Sequence, residues 1–521
     1  MNAIFRLRGF CNAYLSFNFS IRRIASKHNN LADWLNLDES SASPSKTAVI
    51  GFGAEGRFSY GDLGRLVGRY VSLLHGQLSI RKGDRIVARV QKSVDTLALY
   101  LAAVKIGAIY VPVNPSYTWR EMQHYVNDAM PAMLITNTME VDNDFAKSVP
   151  QVIDVMNVIE KAHQQQPSFH TEPVEEHDIA SICYTSGTTG LPKGAMLSHG
   201  NLLWGAKTLV SLWKFNANDV LLHCLPFYHV HGMFISLNCS LLSSSTIIFL
   251  PKFSVDDVLK YLPQSTVMMG VPTYYSRLLE SKEFNKKKLE SVRLFVSGSA
   301  PLSGSTWNEF YQRTGHRILE RYGMTETAVI TSNPYSEIDR RPGTVGKILS
   351  GGKIRLSQNS IVEIQLPSVF RGYWRNPEKT KKEFTKDNFF ITGDMGSIDK
   401  DGYLQILGRS KDLIITGGLN VYPKEVEDVL DEDDLIKESA AIGIPHPDFG
   451  EAVVAVCVPT FCSVTEAAMK TESLITRLRM RLAAYKLPKR FIFLDVLPRN
   501  SMGKVQKNVL RKNYATLFSA K

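Results

Sequence analysis

Tyr184-Thr185-Ser186-Gly187-Thr188-Thr189-Gly190-Leu191-Pro192-Lys193-Gly194 threads hydroxyl side chains between glycines and closes on one lysine. Glycines let backbone N–H groups approach an anion closely and reach positive φ. The hydroxyls donate to phosphoryl oxygens and the lysine adds charge. The stretch therefore reads as a polyphosphate-binding loop. It is not a Walker A loop, which needs G-x-x-x-x-G-K-[ST], because Lys193 follows Leu191-Pro192 and precedes Gly194. P-loop ATPases and GTPases are set aside.

Working downstream, the chain carries Arg321-Tyr322-Gly323-Met324-Thr325-Glu326-Thr327 and Thr392-Gly393-Asp394. Gly408-Arg409-Ser410-Lys411-Asp412, Gly417-Gly418-Leu419-Asn420-Val421-Tyr422-Pro423 and Pro498-Arg499-Asn500-Ser501-Met502-Gly503-Lys504 follow. In this order the set resembles the adenylate-forming superfamily: acyl-CoA synthetases, luciferases and peptide-synthetase adenylation domains. The resemblance runs from about residue 45 to about residue 510.

At 521 residues the chain exceeds a usual single domain, and its 44% apolar and 21% charged content is that of a soluble globular protein. Apolar runs such as Thr246-Ile247-Ile248-Phe249-Leu250 are too short to span a bilayer. The net charge of +11 is concentrated early: Arg6, Arg8, Arg22, Arg23 and Lys27 precede the first acid, Asp33. The remaining positive balance suits polyanions such as ATP and CoA and does not call for nucleic acid. Residues 1–26, basic and free of acids, read as a mitochondrial transit peptide, with a disordered basic arm as the bland reading and the cytoplasm as the alternative location. The six cysteines are scattered and read as apolar thiols, with no structural metal expected.

Strand-like and helix-like runs alternate. Thr47 to Phe52, Arg85 to Val90, Ile109 to Val113 and Ala132 to Thr136 read as strands. Leu63, Leu66, Val67, Tyr70, Val71 and Leu74 form one apolar helical stripe, and Ser93 to Ile106 reads as a second helix. The expected fold is α/β. A large domain over 30–408 combines layered αβ subdomains with a β-rich subdomain, and a small, mobile α+β domain covers 409–521. One departure from the family stands out: Lys353 to Leu366 is short, with Ser360 and Leu366 where many relatives carry glycines.

Activating a carboxylic acid means attack by its oxygen on the α-phosphorus of ATP, so charge must be neutralised there and pyrophosphate released. The resemblance implies that Thr185, Ser186, Gly187, Thr188, Thr189, Gly190 and Lys193 hold the β- and γ-phosphates. It places Thr325 on the α-phosphate and Glu326 on Mg²⁺. Ser299, Ala300 and Tyr322 would form the adenine pocket, while Asp394 and Arg409 would bind the ribose hydroxyls. Lys504 would bridge carboxylate and α-phosphate as the catalytic lysine. Lys411 would be the hinge about which the small domain turns, bringing Gly417, Gly418 and Leu419 to the CoA pantetheine arm. His229 resembles a gate beside the acyl pocket and joins the catalytic set, with Ser299 and Met324 also facing the acid.

The stretch from Lys504 to Lys521 is short for a carrier domain, so CoA is the expected acceptor, with a separate carrier protein as the alternative. A hydrocarbon acid gives a buried arginine no partner, whereas a dicarboxylate does, which makes Arg277 the candidate for the distal carboxylate. The alternative is an Arg277 that reaches solvent from a helix. The wider run of motifs, including Leu225 to Gly232 and Gly270 to Tyr275, resembles malonyl-CoA synthetases and implies malonate, with methylmalonate secondary. The rivals are a short-chain, medium-chain or aryl acyl-CoA synthetase and a non-catalytic nucleotide-binding protein. The expected partners are small molecules; oligomeric state stays open.

Overall fold

The computed structural model describes residues 29–35, 37, 44–137, 149–185, 191–500 and 503–518. Ser59 and Asp62 cap each other reciprocally, the Asp62 N–H donating to Ser59 Oγ at 3.0 Å and the Ser59 N–H to Asp62 Oδ2 at 2.9 Å. The helix Tyr60–Val71 starts there and buries Leu63, Leu66, Val67, Tyr70 and Val71 before a π-helical stretch, Ser72–Gln77. Val94–Lys105, begun by Ser93, is buried almost all round. Asn30 ties down its end by donating to the carbonyls of Val104 and Lys105, both at 3.1 Å.

Two largely parallel sheets form the body of the large domain. One orders Val152–Asp154, Met133–Thr136, Arg85–Ala88, Ile109–Pro112, Ile179–Thr185 and Lys193–Ser198, parallel except for the last antiparallel pair. The other has nine strands, with Leu319–Tyr322, Leu294–Ser297, Val267–Gly270, Val220–His223, Thr246–Phe249 and Thr47–Ile50 as its parallel centre. Buried on both faces, these strands are continuous apolar runs such as Val267–Gly270.

A four-stranded antiparallel sheet, Lys353–Leu356, Ile361–Gln365, Phe390–Ile398 and Leu404–Arg409, is the β-rich subdomain. Its first hairpin is intact despite the shortened segment: Leu356 pairs with Val362 and Lys353 with Gln365. Ser360 there takes φ +58°, a left-handed position that glycine occupies without strain.

The turn Ser410–Asp412 leads from this sheet into a smaller domain with a five-stranded sheet. Ile436–His446 and Gly450–Pro459 are its long strands, and Ile414, Val426, Leu430, Val453, Ala455 and Leu474 belong to its own core. The fold is mixed α/β with a large N-terminal and a small C-terminal domain. No helix among the described residues is long and apolar enough to cross a membrane. The segment 1–26 lies outside the described residues.

Candidate active site

In open α/β sheets, ligands bind beyond the carboxyl ends of the parallel strands. The candidate residues gather there: Ser299 and Ala300 follow Leu294–Ser297, Met324 to Glu326 follow Leu319–Tyr322, and His229 follows Val220–His223. Thr185 and Lys193 are register partners at the open end of the hairpin Ile179–Thr185/Lys193–Ser198. Ser186, Gly187, Thr188, Thr189 and Gly190, which connect them, lie outside the described residues.

A segment not singled out in the sequence lines this hairpin. The Arg371 N–H donates to the Met196 carbonyl (2.9 Å) and the Trp374 N–H to that of Gly194 (2.7 Å), so residues 371–374 join the hairpin through an isolated antiparallel bridge between Tyr373 and Ala195. Tyr373 thereby reaches two candidates at once. Its ring lies 5.4 Å from Lys193 Nζ, and its hydroxyl donates to Glu326 Oε1 at 2.8 Å. Glu326 is 5% exposed, and burial raises its carboxyl pKa despite the Tyr373 bond. The only advance signal for Tyr373 was an aromatic pair after a glycine, Gly372-Tyr373-Trp374.

Asp394 and Arg409 face each other across antiparallel strands and pair at 2.7 Å, Arg409 Nε to Asp394 Oδ1. The Tyr322 hydroxyl donates to the other carboxylate oxygen, Oδ2. Both oxygens of a nearly buried carboxylate are thus engaged, and Asp394 holds the Arg409 pKa above its usual value. Ser299 sits at φ +73°, a strained position for a residue with a Cβ, and its hydroxyl lies 3.3 Å from His231 Nδ1. His231 opens a π-helical stretch, His231–Leu237. Ala300, Met324 and Thr325 are half-buried beside these groups in the chain.

Lys504 arrives from the small domain on a tight turn. The Lys504 N–H donates to Asn500 Oδ1 at 3.0 Å, and the Gly503 N–H to the Asn500 carbonyl at 2.9 Å. Gly503, at φ +75°, abuts the large domain: a Cβ there would lie 3.2 Å from Thr273 Oγ1. Burial lowers the Lys504 pKa to about 8; Arg409 and Arg321 push the same way, and Asp394 and Glu326 oppose them. Burial and then Lys504 hold His229 down to about 3, so its imidazole is neutral at pH 7. The lysine, the ribose pair, Glu326 and His229 therefore share one electrostatic environment.

Lys411 is exposed in the single turn Ser410–Asp412, which Arg511 braces by an ion pair to Asp412 (2.6 Å). Gly417, Gly418 and Leu419 are exposed, with the glycines at φ +56° and +77°.

Arg277 departs from the expectation of a buried arginine: it is exposed. The helix Pro272–Leu279 turns Tyr275, Leu278 and Leu279 inward, which puts Arg277 on the outer side. The buried arginine at this site is Arg321, 4% exposed.

Two regions match models of known families: residues 38–374 match the AMP-binding enzyme and residues 425–504 the AMP-binding enzyme C-terminal domain. The chain belongs to the AMP-binding enzyme family. This AMP-binding enzyme is 36% identical over 476 residues to a malonate–CoA ligase of Arabidopsis thaliana, covering 83% of this chain and 78% of that one. It is 34% identical to the mitochondrial malonate–CoA ligase ACSF3 of Mus musculus, covering 82% and 81%. The structure of ATP-bound MatB from Rhodopseudomonas palustris superposes with a TM-score of 0.88 at 43% identity, covering 94% of this chain and 100% of that one. Apo MatB gives 0.78 at the same identity and coverage.

Proposed function

We propose that the protein is a malonyl-CoA synthetase. It joins malonate, and secondarily methylmalonate, to CoA through an acyl-adenylate, with ATP giving AMP and pyrophosphate. The observation that carries this reading is the Lys504 turn seated against Thr273, its ammonium held in the field of Arg409, Asp394 and Glu326. A cation there can draw the carboxylate onto the α-phosphorus and neutralise charge as it develops. The relatives that act on malonate support the choice of acid.

In this reading Thr185, Ser186 to Gly190 and Lys193 hold the β- and γ-phosphates and Thr325 the α-phosphate. Ser299, Ala300 and Tyr322 take adenine, and Asp394 and Arg409 the ribose. No group of three or more His, Cys, Asp or Glu converges as a metal cage among the described residues. Mg²⁺ held chiefly by phosphate oxygens and water needs little more than one carboxylate, and Glu326, whose burial disfavours an uncompensated charge, fits that need. When bound, the ion would add charge neutralisation at the phosphates.

After adenylation the small domain turns about Lys411. That motion withdraws Lys504 and brings Gly417 to Leu419 to the pantetheine thiol, with His229 gating the acyl pocket. Residues 1–26 direct the protein to the mitochondrial matrix, a reading supported by their acid-free basic composition and by the mitochondrial mouse relative.

The test is CoA-dependent AMP release across malonate, methylmalonate, succinate, acetate, octanoate and coumarate. The expected result is the highest kcat/KM with malonate. A preference for octanoate or coumarate would replace malonate with the acyl or aryl reading, and no AMP release with any acid would remove the enzymatic one.

A further inference from the structure

The helix Trp119–Ala129 contributes none of the site residues described above, yet it holds both arms of the hairpin that carries Thr185 and Lys193. His124 and Asp128, one helical turn apart, share a face of it. The hydroxyl of Tyr184, the residue before Thr185, donates to Asp128 Oδ2 at 2.7 Å. His124 Nε2 lies 2.6 Å from the carbonyl oxygen of Pro192, the residue before Lys193. A carbonyl can only accept, so this ring nitrogen carries the proton and donates. The imidazole also stands edge-on to the Tyr184 ring, with centroids 6.1 Å apart, so one side chain touches both arms. Pro192 has no N–H, which leaves its carbonyl as the main-chain group by which that residue can be held. Trp374 closes the junction: its Nε1–H donates to the Asp128 carbonyl at 3.0 Å, and a Cβ on Gly194 would lie 3.4 Å from its Cβ.

We propose that His124 and Asp128 are positioning residues for ATP, fixing the two arms of the hairpin so that Thr185 and Lys193 meet the β- and γ-phosphates already aligned. This rests on the reading of Thr185 and Lys193 as phosphate contacts. The two are register partners, so a shift of either arm changes the span between a hydroxyl and an ammonium that must reach the same polyphosphate. Asp128 holds the Thr185 arm through Tyr184, and His124 holds the Lys193 arm through Pro192. Groups fixed before the ligand arrives lose less freedom on binding, and the saving appears as affinity. The adenine and ribose candidates Tyr322, Asp394 and Arg409 stand on other strands, outside the reach of these anchors. ATP should therefore feel the anchors, and AMP, which lacks the β- and γ-phosphates, should not.

The experiment measures MgATP and AMP affinities by calorimetry on the full chain, without acid or CoA, for wild type, His124→Phe, His124→Gln, Tyr184→Phe and Lys193→Met. His124→Phe keeps a ring and loses the donor, and Tyr184→Phe keeps the ring and loses the hydroxyl. Each should bind MgATP about 5- to 10-fold more weakly than wild type, the effect of one lost hydrogen bond, and bind AMP as wild type does. His124→Gln, which restores an N–H donor, should return MgATP affinity to within about threefold of wild type. Parallel losses for MgATP and AMP would overturn the positioning role and make both residues general supports of the fold. Wild-type MgATP affinity in both phenylalanine variants, with Lys193→Met binding MgATP weakly, would overturn it too and leave the phosphate reading standing. Unchanged MgATP affinity in Lys193→Met would overturn the phosphate reading itself, and the anchors' role with it.

Discussion

Gly298 and Arg321 interlock: the side chain that Gly298 lacks is the space that the Arg321 guanidinium fills, with the missing Cβ only 2.4 Å from Nε. Gly298→Ala should therefore displace the guanidinium without removing its charge. Stability should fall by about 1–3 kcal/mol. A urea melt decides this; an unchanged midpoint would mean that the Arg321 side chain moves aside without loss.

Tyr373 joins Lys193 to Glu326, and only its hydroxyl reaches the carboxylate. Tyr373→Phe keeps the ring and loses that bond, so the protein should stay folded while kcat/KM for MgATP falls about 5- to 10-fold. Initial rates over a MgATP series provide the check. Wild-type kinetics would reduce Tyr373 to a packing residue.

Lys504→Ala should suppress malonyl-adenylate formation by at least about 100-fold, the loss expected when a group that stabilises transition-state charge is removed. CoA should still react with malonyl-adenylate supplied in advance, since the proposed turn of the small domain withdraws the lysine for that step. Half-reactions followed by pyrophosphate release and by thioester formation separate the two; parallel losses in a folded variant would contradict alternation of the small domain.

The Lys504 pKa, lowered to about 8 by burial first and by Arg409 and Arg321 next, predicts an alkaline limb. The active form is the ammonium, present below that pKa, so kcat/KM for adenylate formation should hold near neutral pH. Above about pH 8 it should fall towards tenfold per unit. Measuring pyrophosphate release without CoA keeps thiol ionisation out of the profile. Lys504→Arg, charged throughout, should lose the limb whatever its absolute rate, and a limb that persisted would belong to another group.

Deleting residues 1–26 should leave purified activity unchanged and move a tagged protein from mitochondria to the cytosol. Import that survives the deletion would place the targeting signal elsewhere.

Several features were legible in the chain itself because they depend on local chemistry or on order. Val94–Lys105 lies within a residue of the expected Ser93 to Ile106, and the expected apolar stripe from Leu63 to Leu74 falls on Tyr60–Val71 and the π-helical stretch that follows it. The ordered motifs announce the family, since each pairs side-chain chemistry with a turn that glycine permits. What required the tertiary structure was every relationship between segments distant in sequence. Asp394 meets Tyr322 across 72 residues and Tyr373 meets Glu326 across 47, and no local periodicity encodes either contact. The two arginines make the same point. Sequence alone could not say which is buried, because burial depends on which helix face packs and which strand end is covered. Packing turns Arg277 outward on its helix, while the notch at Gly298, on a neighbouring strand end, encloses Arg321. The chain supplied the chemistry; the approach of its strand ends decided which charge is enclosed.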